Sequence, residues 1–333
     1  MSNFSEIIQL TATQMQHLIT TKKLSPVEVV EAHLAQIEQL NHSVNAVCTV
    51  SEQVLDDAGR AEQAIMADEP LGILHGLPVG VKDVTPTAGL RTTFGSPLYT
   101  DYIPAEDALV VQRLKAAGAI ILGKTNVPEF ALGANTYNEI FGATRNPWNT
   151  ALTAGGSTGG GAVALATGMI ALAEGSDLGG SLRIPASFCG VVGLRPSPGL
   201  VPTYPSTYLW DTLNVTGPMA RTAEDVALML QAIAGPTARQ PLRQPIDSRD
   251  FVATVQNSSA VGLKIAYCPD IAGIGIDTEI EQICRDTVFD LKKAGAIVEE
   301  INLDLSFGWQ AFLDLRGLEV VTVHHQHLDK VDQ

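Results

Sequence analysis

Two serines set among glycines carry the most suggestive chemistry in the chain. They lie in Ala154-Gly155-Gly156-Ser157-Thr158-Gly159-Gly160-Gly161 and in Gly175-Ser176-Asp177-Leu178-Gly179-Gly180-Ser181-Leu182-Arg183-Ile184-Pro185-Ala186. An apolar stretch between them reads as a buried helix to about Ala173. Glycine lets a backbone approach a substrate closely and adopt positive φ. A run such as Leu178-Gly179-Gly180-Ser181 can turn successive N–H groups on one spot, where negative charge could develop. A third group, Lys82, stands just past the apolar run Val79-Gly80-Val81. A lysine buried there gives up its proton far more readily than one in water, and a neutral amine is a base. Two serines, such a lysine and an N–H nest are the parts of a Ser–Lys acyl-transfer site.

Other patterns promise chemistry and do not deliver it. Gly118-Ala119-Ile120-Ile121-Leu122-Gly123-Lys124-Thr125 satisfies the spacing of a phosphate-binding loop. Its four intervening residues are a strand-type apolar run, and Pro128 blocks a helix starting at Lys124, so nucleotide binding is disfavoured. Gly155-Gly156-Ser157-Thr158-Gly159 matches the nucleophile elbow of α/β-hydrolases, but Ala151-Leu152-Thr153-Ala154 makes a poor central strand. The histidines after Ser157 are His324, His325 and His327, clustered late in the chain. They lack the spacing of metal ligands and read as an exposed polar helix end, so no metal is expected.

The elements that must position the serines and the lysine are helices and strands in alternation. The first 70 residues read as helices. Ser25-Pro26-Val27-Glu28 offers a cap, a proline at the first helical position and a glutamate three residues after the cap. A second helix is expected over 52–66. From about Leu74 short apolar runs and glycine-rich turns take over: strands at 77–81 and 119–122 enclose a helix over 107–117. The same order returns with a strand at 264–267, a helix at 279–293 and a strand at 296–301. A sheet flanked by helices follows. Residues 236–250 form a surface excursion rich in proline and arginine.

Composition narrows the function further. The chain has 333 residues, 45% hydrophobic, with 21 Lys and Arg against 36 Asp and Glu, a net charge of −15. Nucleic-acid binding needs a basic face and none is legible. The longest apolar window is too short for a membrane span. Four scattered cysteines suit a reducing compartment, and the N-terminus has no signal-peptide pattern, so the expected location is the cytoplasm.

The stretch from about Gly76 to Pro202 resembles the amidase signature hydrolases. The resemblance rests on Gly76-Leu77-Pro78-Val79-Gly80-Val81-Lys82-Asp83, Gly123-Lys124-Thr125-Asn126-Val127-Pro128-Glu129, Phe141-Gly142-Ala143-Thr144-Arg145-Asn146-Pro147-Trp148, the two serine loops and Phe188-Cys189-Gly190-Val191-Val192-Gly193-Leu194-Arg195-Pro196. It implies an α/β fold, an α/β/α sandwich around a large mixed sheet. It also implies hydrolysis of a carboxamide through an acyl-enzyme, with no metal or organic cofactor. By the same resemblance Ser181 matches the nucleophile, Ser157 a bridging serine on a cis peptide bond, and Lys82 the base. The N–H groups of Leu178, Gly179, Gly180 and Ser181 match the oxyanion hole, and Ala131 falls among the substrate-binding positions. Asp177 and Arg183 are read as a structural ion pair beside the site. Thr158 stands where the family often has serine, and Ser176-Asp177-Leu178 where it has Thr-Asp-Thr or Thr-Asp-Ile, which affects no backbone donor.

The expected organisation is an N-terminal helical segment over 1–70, a catalytic core over 71–235, and a C-terminal segment of the same domain over 236–333. Family members usually continue beyond the equivalent of Gln333, so the fold is expected to lack its C-terminal elements. The helix over 307–327 carries Trp309, Phe312, Leu315, Leu318 and Val321 at helical spacing, and strand 296–301 would keep an unpaired edge. Self-association, for instance as a homodimer, is expected through this surface. The expected partner is a small-molecule amide. Two alternatives stand beside the amidase: an A-type subunit of a tRNA-dependent amidotransferase, although 198–210 does not look like that of such subunits, and a truncated, inactive remnant.

Overall fold

The computed structural model describes residues 4–246, 250–271 and 273–326. It divides into two compact units, Met1–Val255 and Gln256–Gln333.

Helices α1 (Phe4–Ile7), α2 (Ala12–Thr20) and α3 (Pro26–Val44) open the first unit. Capping starts α3 as expected: the Val27 N–H donates to Ser25 Oγ at 3.0 Å, and the Ser25 N–H donates back to Glu28 Oε2 at 3.2 Å. That satisfies two N–H groups that an uncapped helix start would leave open. Asn45, in the left-handed region at φ 52°, ends the helix and turns the chain into β1 (Val47–Val50). The first 70 residues are therefore not helical throughout. β1 is short, carries Cys48 and Thr49, and pairs antiparallel with one neighbour only, which leaves little periodic signal. Helix α4 (Val54–Met66), strand β2 (Pro78–Lys82), helix α5 (Leu109–Ala116) and strand β3 (Ile120–Thr125) follow. β3 runs through Gly123, Lys124 and Thr125, so the Gly-Lys-Thr sequence belongs to a sheet ladder and makes no phosphate loop.

A hairpin of β4 (Tyr137–Asn138) and β5 (Gly142–Ala143) precedes α6 (Gly159–Ala166), β6 (Leu172–Asp177), α7 (Arg183–Cys189), β7 (Val192–Gly193), β8 (Val215–Ala220), α8 (Ala223–Ile233) and α9 (Phe251–Gln256). The apolar helix expected to reach Ala173 stops at Ala166, and Leu172 and Ala173 begin β6. A segment buried on all sides has no polar face, so periodicity cannot mark where helix gives way to strand.

Six strands form one mixed sheet in the order β1-β3-β2-β6-β8-β7. β3, β2 and β6 are parallel; β1 and β8 are antiparallel to their neighbours. Alternating side chains of β3 feed two separate cores. Ile121 packs with Met15, Val79, Leu114 and Met229, while Ile120 and Leu122 pack with Ala58, Val163 and Met169. Successive strand residues point to opposite faces, so the sheet is the middle layer between two helical layers. Gly160 lets α6 sit this low, because a Cβ there would lie 2.2 Å from the Asn126 nitrogen.

The second unit has parallel strands β9 (Lys264–Tyr267) and β10 (Ile297–Glu300), joined through α10 (Thr278–Lys293), and then α11 (Gly308–His324). Among its described residues only Ala296 and Glu319 are buried.

Candidate active site

β2 is buried along its whole length and ends on Lys82. The Lys82 Nζ lies 2.8 Å from Ser157 Oγ, 2.9 Å from Ser176 Oγ and 3.4 Å from the Ser176 carbonyl. Burial lowers the pKa of the amine to about 7, against the opposing charges of Glu174 and Asp177. A neutral amine has two N–H donors and one lone pair. Donation to Ser176 Oγ and its carbonyl leaves that lone pair for the Ser157 hydroxyl.

Ser157 is buried in the turn that leads into α6, and the Gly156–Ser157 peptide is cis. Gly155 precedes it at φ 72°. Gly175, on β6, allows close contact with this turn: a Cβ there would fall 2.6 Å from Thr158 Cγ2 and 2.9 Å from Leu182 Cδ2. The Thr158 N–H donates to the Ser181 carbonyl at 3.2 Å, which ties the two serine loops together directly.

Ser181 lies in the turn between β6 and α7 and is half-buried. Asp177, fully buried at the end of β6, organises that turn. Its carboxylate accepts the Gly180 N–H at 2.8 Å and the Leu182 N–H at 3.2 Å. Arg183 binds it through Nε and Nη2, both at 3.0 Å, and Arg195 Nη1 lies 3.2 Å from Oδ1. Burial pushes the Asp177 pKa up, but the Arg183 hydrogen bonds and the two backbone donors outweigh it and hold the carboxyl at about 2. Arg195 also donates to the Asp177 carbonyl and, at 2.7 Å, to the Leu213 carbonyl. The Gly180 N–H is thus directed at Asp177.

Ala131 closes the loop after Pro128 with φ 58°, following Phe130 at φ 50°. This loop reaches the Ser157 turn, since a Cβ on Gly156 would lie 3.0 Å from the backbone of Ala134 and Asn135.

The structure brings Lys82, Ser157 and the Ser181 loop together, with the Asp177–Arg183 ion pair under that loop. Four participants escaped the sequence reading: Ser176, Glu174, Lys124 and Arg195. Alternation along β6 could have found Ser176, which shares a face with Glu174. His324 ends α11, and His325 Nδ1 lies 3.1 Å from the Thr322 carbonyl. His327 lies outside the described residues. Among the described residues no group of His, Cys, Asp or Glu is arranged to hold a metal ion. No described helix is long and apolar enough to cross a membrane.

The profile of the Amidase family matches residues 28–326. The A-type subunit of glutamyl-tRNA(Gln) amidotransferase from Carboxydothermus hydrogenoformans is 40% identical over 299 residues, 90% of this chain and 61% of that protein. An acylamidase of Rhodococcus erythropolis is 40% identical over 293 residues, 87% of this chain and 61% of that protein. The crystal structure of a bacterial aryl acylamidase of the amidase signature enzymes superposes with a TM-score of 0.88 at 29% identity, covering 97% of this chain and 68% of the other. The chain therefore spans about 61% of the length of these curated relatives. With a family profile running through nearly all of it and a matching mixed sheet, the chain belongs to the amidase signature family.

Proposed function

We propose that the chain hydrolyses a carboxamide C–N bond to a carboxylate and ammonia or an amine, through an acyl-enzyme on Ser181. The observation that carries this reading is the 2.8 Å contact between Ser157 Oγ and a fully buried Lys82 amine. A hydroxyl and a neutral amine at that distance can exchange a proton without solvent.

In the proposed reaction Ser181 Oγ attacks the amide carbon. Its proton passes to Ser157 Oγ while the Ser157 proton passes to Lys82 Nζ. The carbonyl oxygen becomes an oxyanion facing the N–H groups of Leu178, Gly179 and Ser181, since that of Gly180 is engaged by Asp177. Collapse breaks the C–N bond, and the proton returns from Lys82 through Ser157 to the leaving nitrogen. Water then attacks the ester over the same relay and releases the carboxylate and free Ser181. Every proton is accounted for within the three side chains. Asp177 and Arg183 hold the loop and touch no substrate, and Ala131 borders the substrate. The relay needs no metal or organic cofactor, and the four cysteines, all unpaired, suit a cytoplasmic location.

The decisive assay is ammonia or amine release from aliphatic, aryl and peptide amides by the chain alone. Turnover that disappears in Ser181→Ala supports the reading; turnover that persists in that variant refutes it. The 40% identity to the A-type subunit of an amidotransferase supports a second reading, an amide-cleaving component of a larger complex. Activity that emerges only when partner proteins are added would favour it.

A further inference from the structure

The pairing of β2 with β6 stops at Gly80 and Ala173, one residue short of Glu174. Beyond that point the Lys82 N–H has no ladder partner on β6. The Glu174 carboxylate replaces it, accepting that N–H at 3.1 Å on Oε2. Thr85 Oγ1 lies 3.0 Å from both Glu174 oxygens and donates its one proton between them. Two residues along the same face of β6, Ser176 meets the Lys82 amine at 2.9 Å. One face of one strand thus holds both ends of Lys82.

Glu174 is only 1% exposed, and a buried carboxylate is costly unless it is paired and hydrogen-bonded. Its cationic neighbours are Lys82 and, on β3, the fully buried Lys124. The Lys124 ammonium donates to the Thr85 carbonyl and, at 3.1 Å, to Thr87 Oγ1. Asp83, which accepts the Thr93 N–H at 3.2 Å, also acts on Lys124 with its charge, as do Cys48 and Asp107. Lys82 is faced by Glu174 and Asp177. Neither Glu174 nor Lys124 takes part in the proposed proton relay, yet Glu174 holds the backbone of Lys82 and Lys124 is its cationic neighbour.

We propose that Glu174 is a positioning residue for Lys82, fixing its backbone at the end of β2 and governing with its charge the pH at which the amine becomes a base. Burial raises the Glu174 pKa, and the charge of Lys124, held by Thr85 and Thr87, opposes that rise together with the Lys82 N–H and the Thr85 hydroxyl. This rests on the reading of Lys82 as the base. It also explains why a strand so apolar ends beside Lys124, Glu174, Asp83 and Asp177: the charge on Lys82 is balanced by buried groups, so the relay needs no exposed counter-ion.

The test is the pH profile of kcat/KM for amide hydrolysis by the full chain. Glu174→Gln keeps the shape and an acceptor for the Lys82 N–H but removes the charge. The acid limb should move to lower pH by about one unit, the small end of the effect of an opposite charge close by, and the plateau should fall. A lowered plateau with an unmoved limb would overturn the proposal and leave Glu174 a purely structural role. Thr85→Val, which removes one donor to the carboxylate, should move the limb in the same direction by less. If Glu174→Gln does not fold, an unmoved limb in Thr85→Val overturns the proposal by itself. Lys82→Ala separates the two readings. Loss of activity there with unmoved limbs in the other variants rejects the role of Glu174 alone, whereas near-normal activity rejects Lys82 as base and the inference with it.

Discussion

The two units handle apolar surface in opposite ways. In Met1–Val255 two clusters of buried side chains cover both faces of a six-stranded sheet, and even charged residues are enclosed and paired. In Gln256–Gln333 a two-stranded sheet and two helices leave Phe307 74% and Trp309 66% exposed. A two-stranded sheet is marginal without more strands or packing partners. The chemistry follows the burial: a lysine becomes a base by losing water, so it must stand where the core is deepest. The groups of the proposed relay accordingly all belong to the first unit, and none belongs to the second.

This contrast is tested most severely by removing groups from the first unit. Ser181→Ala should reduce amide hydrolysis to background in an ammonia-release assay. Lys82→Ala should lower kcat/KM by at least about 10²–10⁴-fold, the range for a lost general base, and Ser157→Ala should fall between the two, because water can partly replace a relay hydroxyl. Near-normal turnover by Lys82→Ala would end the mechanism.

The pH profile probes the same point. Lys82 acts as a base only when neutral, and burial lowers its pKa to about 7. Wild-type kcat/KM should therefore fall as pH drops through about 7. A flat profile from there to pH about 5, well below the ordinary lysine range, would refute it.

Packing gives a smaller contrast. Leu122→Ala, in the first unit, should cost about 2–5 kcal/mol in denaturant unfolding, as for other buried leucines. Leu315→Ala, on the exposed side of α11, should stay within about 0.5 kcal/mol, as surface changes do. Equal costs would erase the distinction between the units.

The exposed residues of α11 and its approach also predict concentration-dependent self-association of this chain in sedimentation, weakened by Phe307→Ser with Trp309→Ser. A wild-type monomer at all concentrations would refute it. The least effect is expected from joint replacement of His324, His325 and His327 by alanine, which should leave kcat unchanged. A large loss there would return the chemistry to the second unit.

Much of this was legible beforehand, for physical reasons. The α3 start follows from Ser25, Pro26 and Glu28, whose roles are local. β2 and β3 announce themselves as apolar runs between glycine-rich turns. The serine loops and Lys82 stand out because glycine and an interior lysine are costly unless used. What stayed hidden depended on distant partners. Glu174 meets Lys82 across 92 residues of sequence, and no local pattern shows that pairing. Lys124 sits in a motif that invites a phosphate reading, and only the register of β3 beside β2 reveals it as a core cation. β1 was concealed by its brevity, and the start of β6 by an apolar stretch with no polar side to set a period.

The grip of Asp177 on the Ser181 loop has a consequence for how the protein tolerates acid. A carboxyl held at about 2 when folded contributes stability that is fully present above its ordinary pKa and is lost progressively as pH falls from there through about 2. Lys82 takes up its proton near 7. Between that ordinary carboxylate range and about 7 the proposed base is protonated while the turn that carries the proposed nucleophile stays clamped. Mild acid should therefore act as a pause, and activity should return in full when a sample is brought back to neutrality.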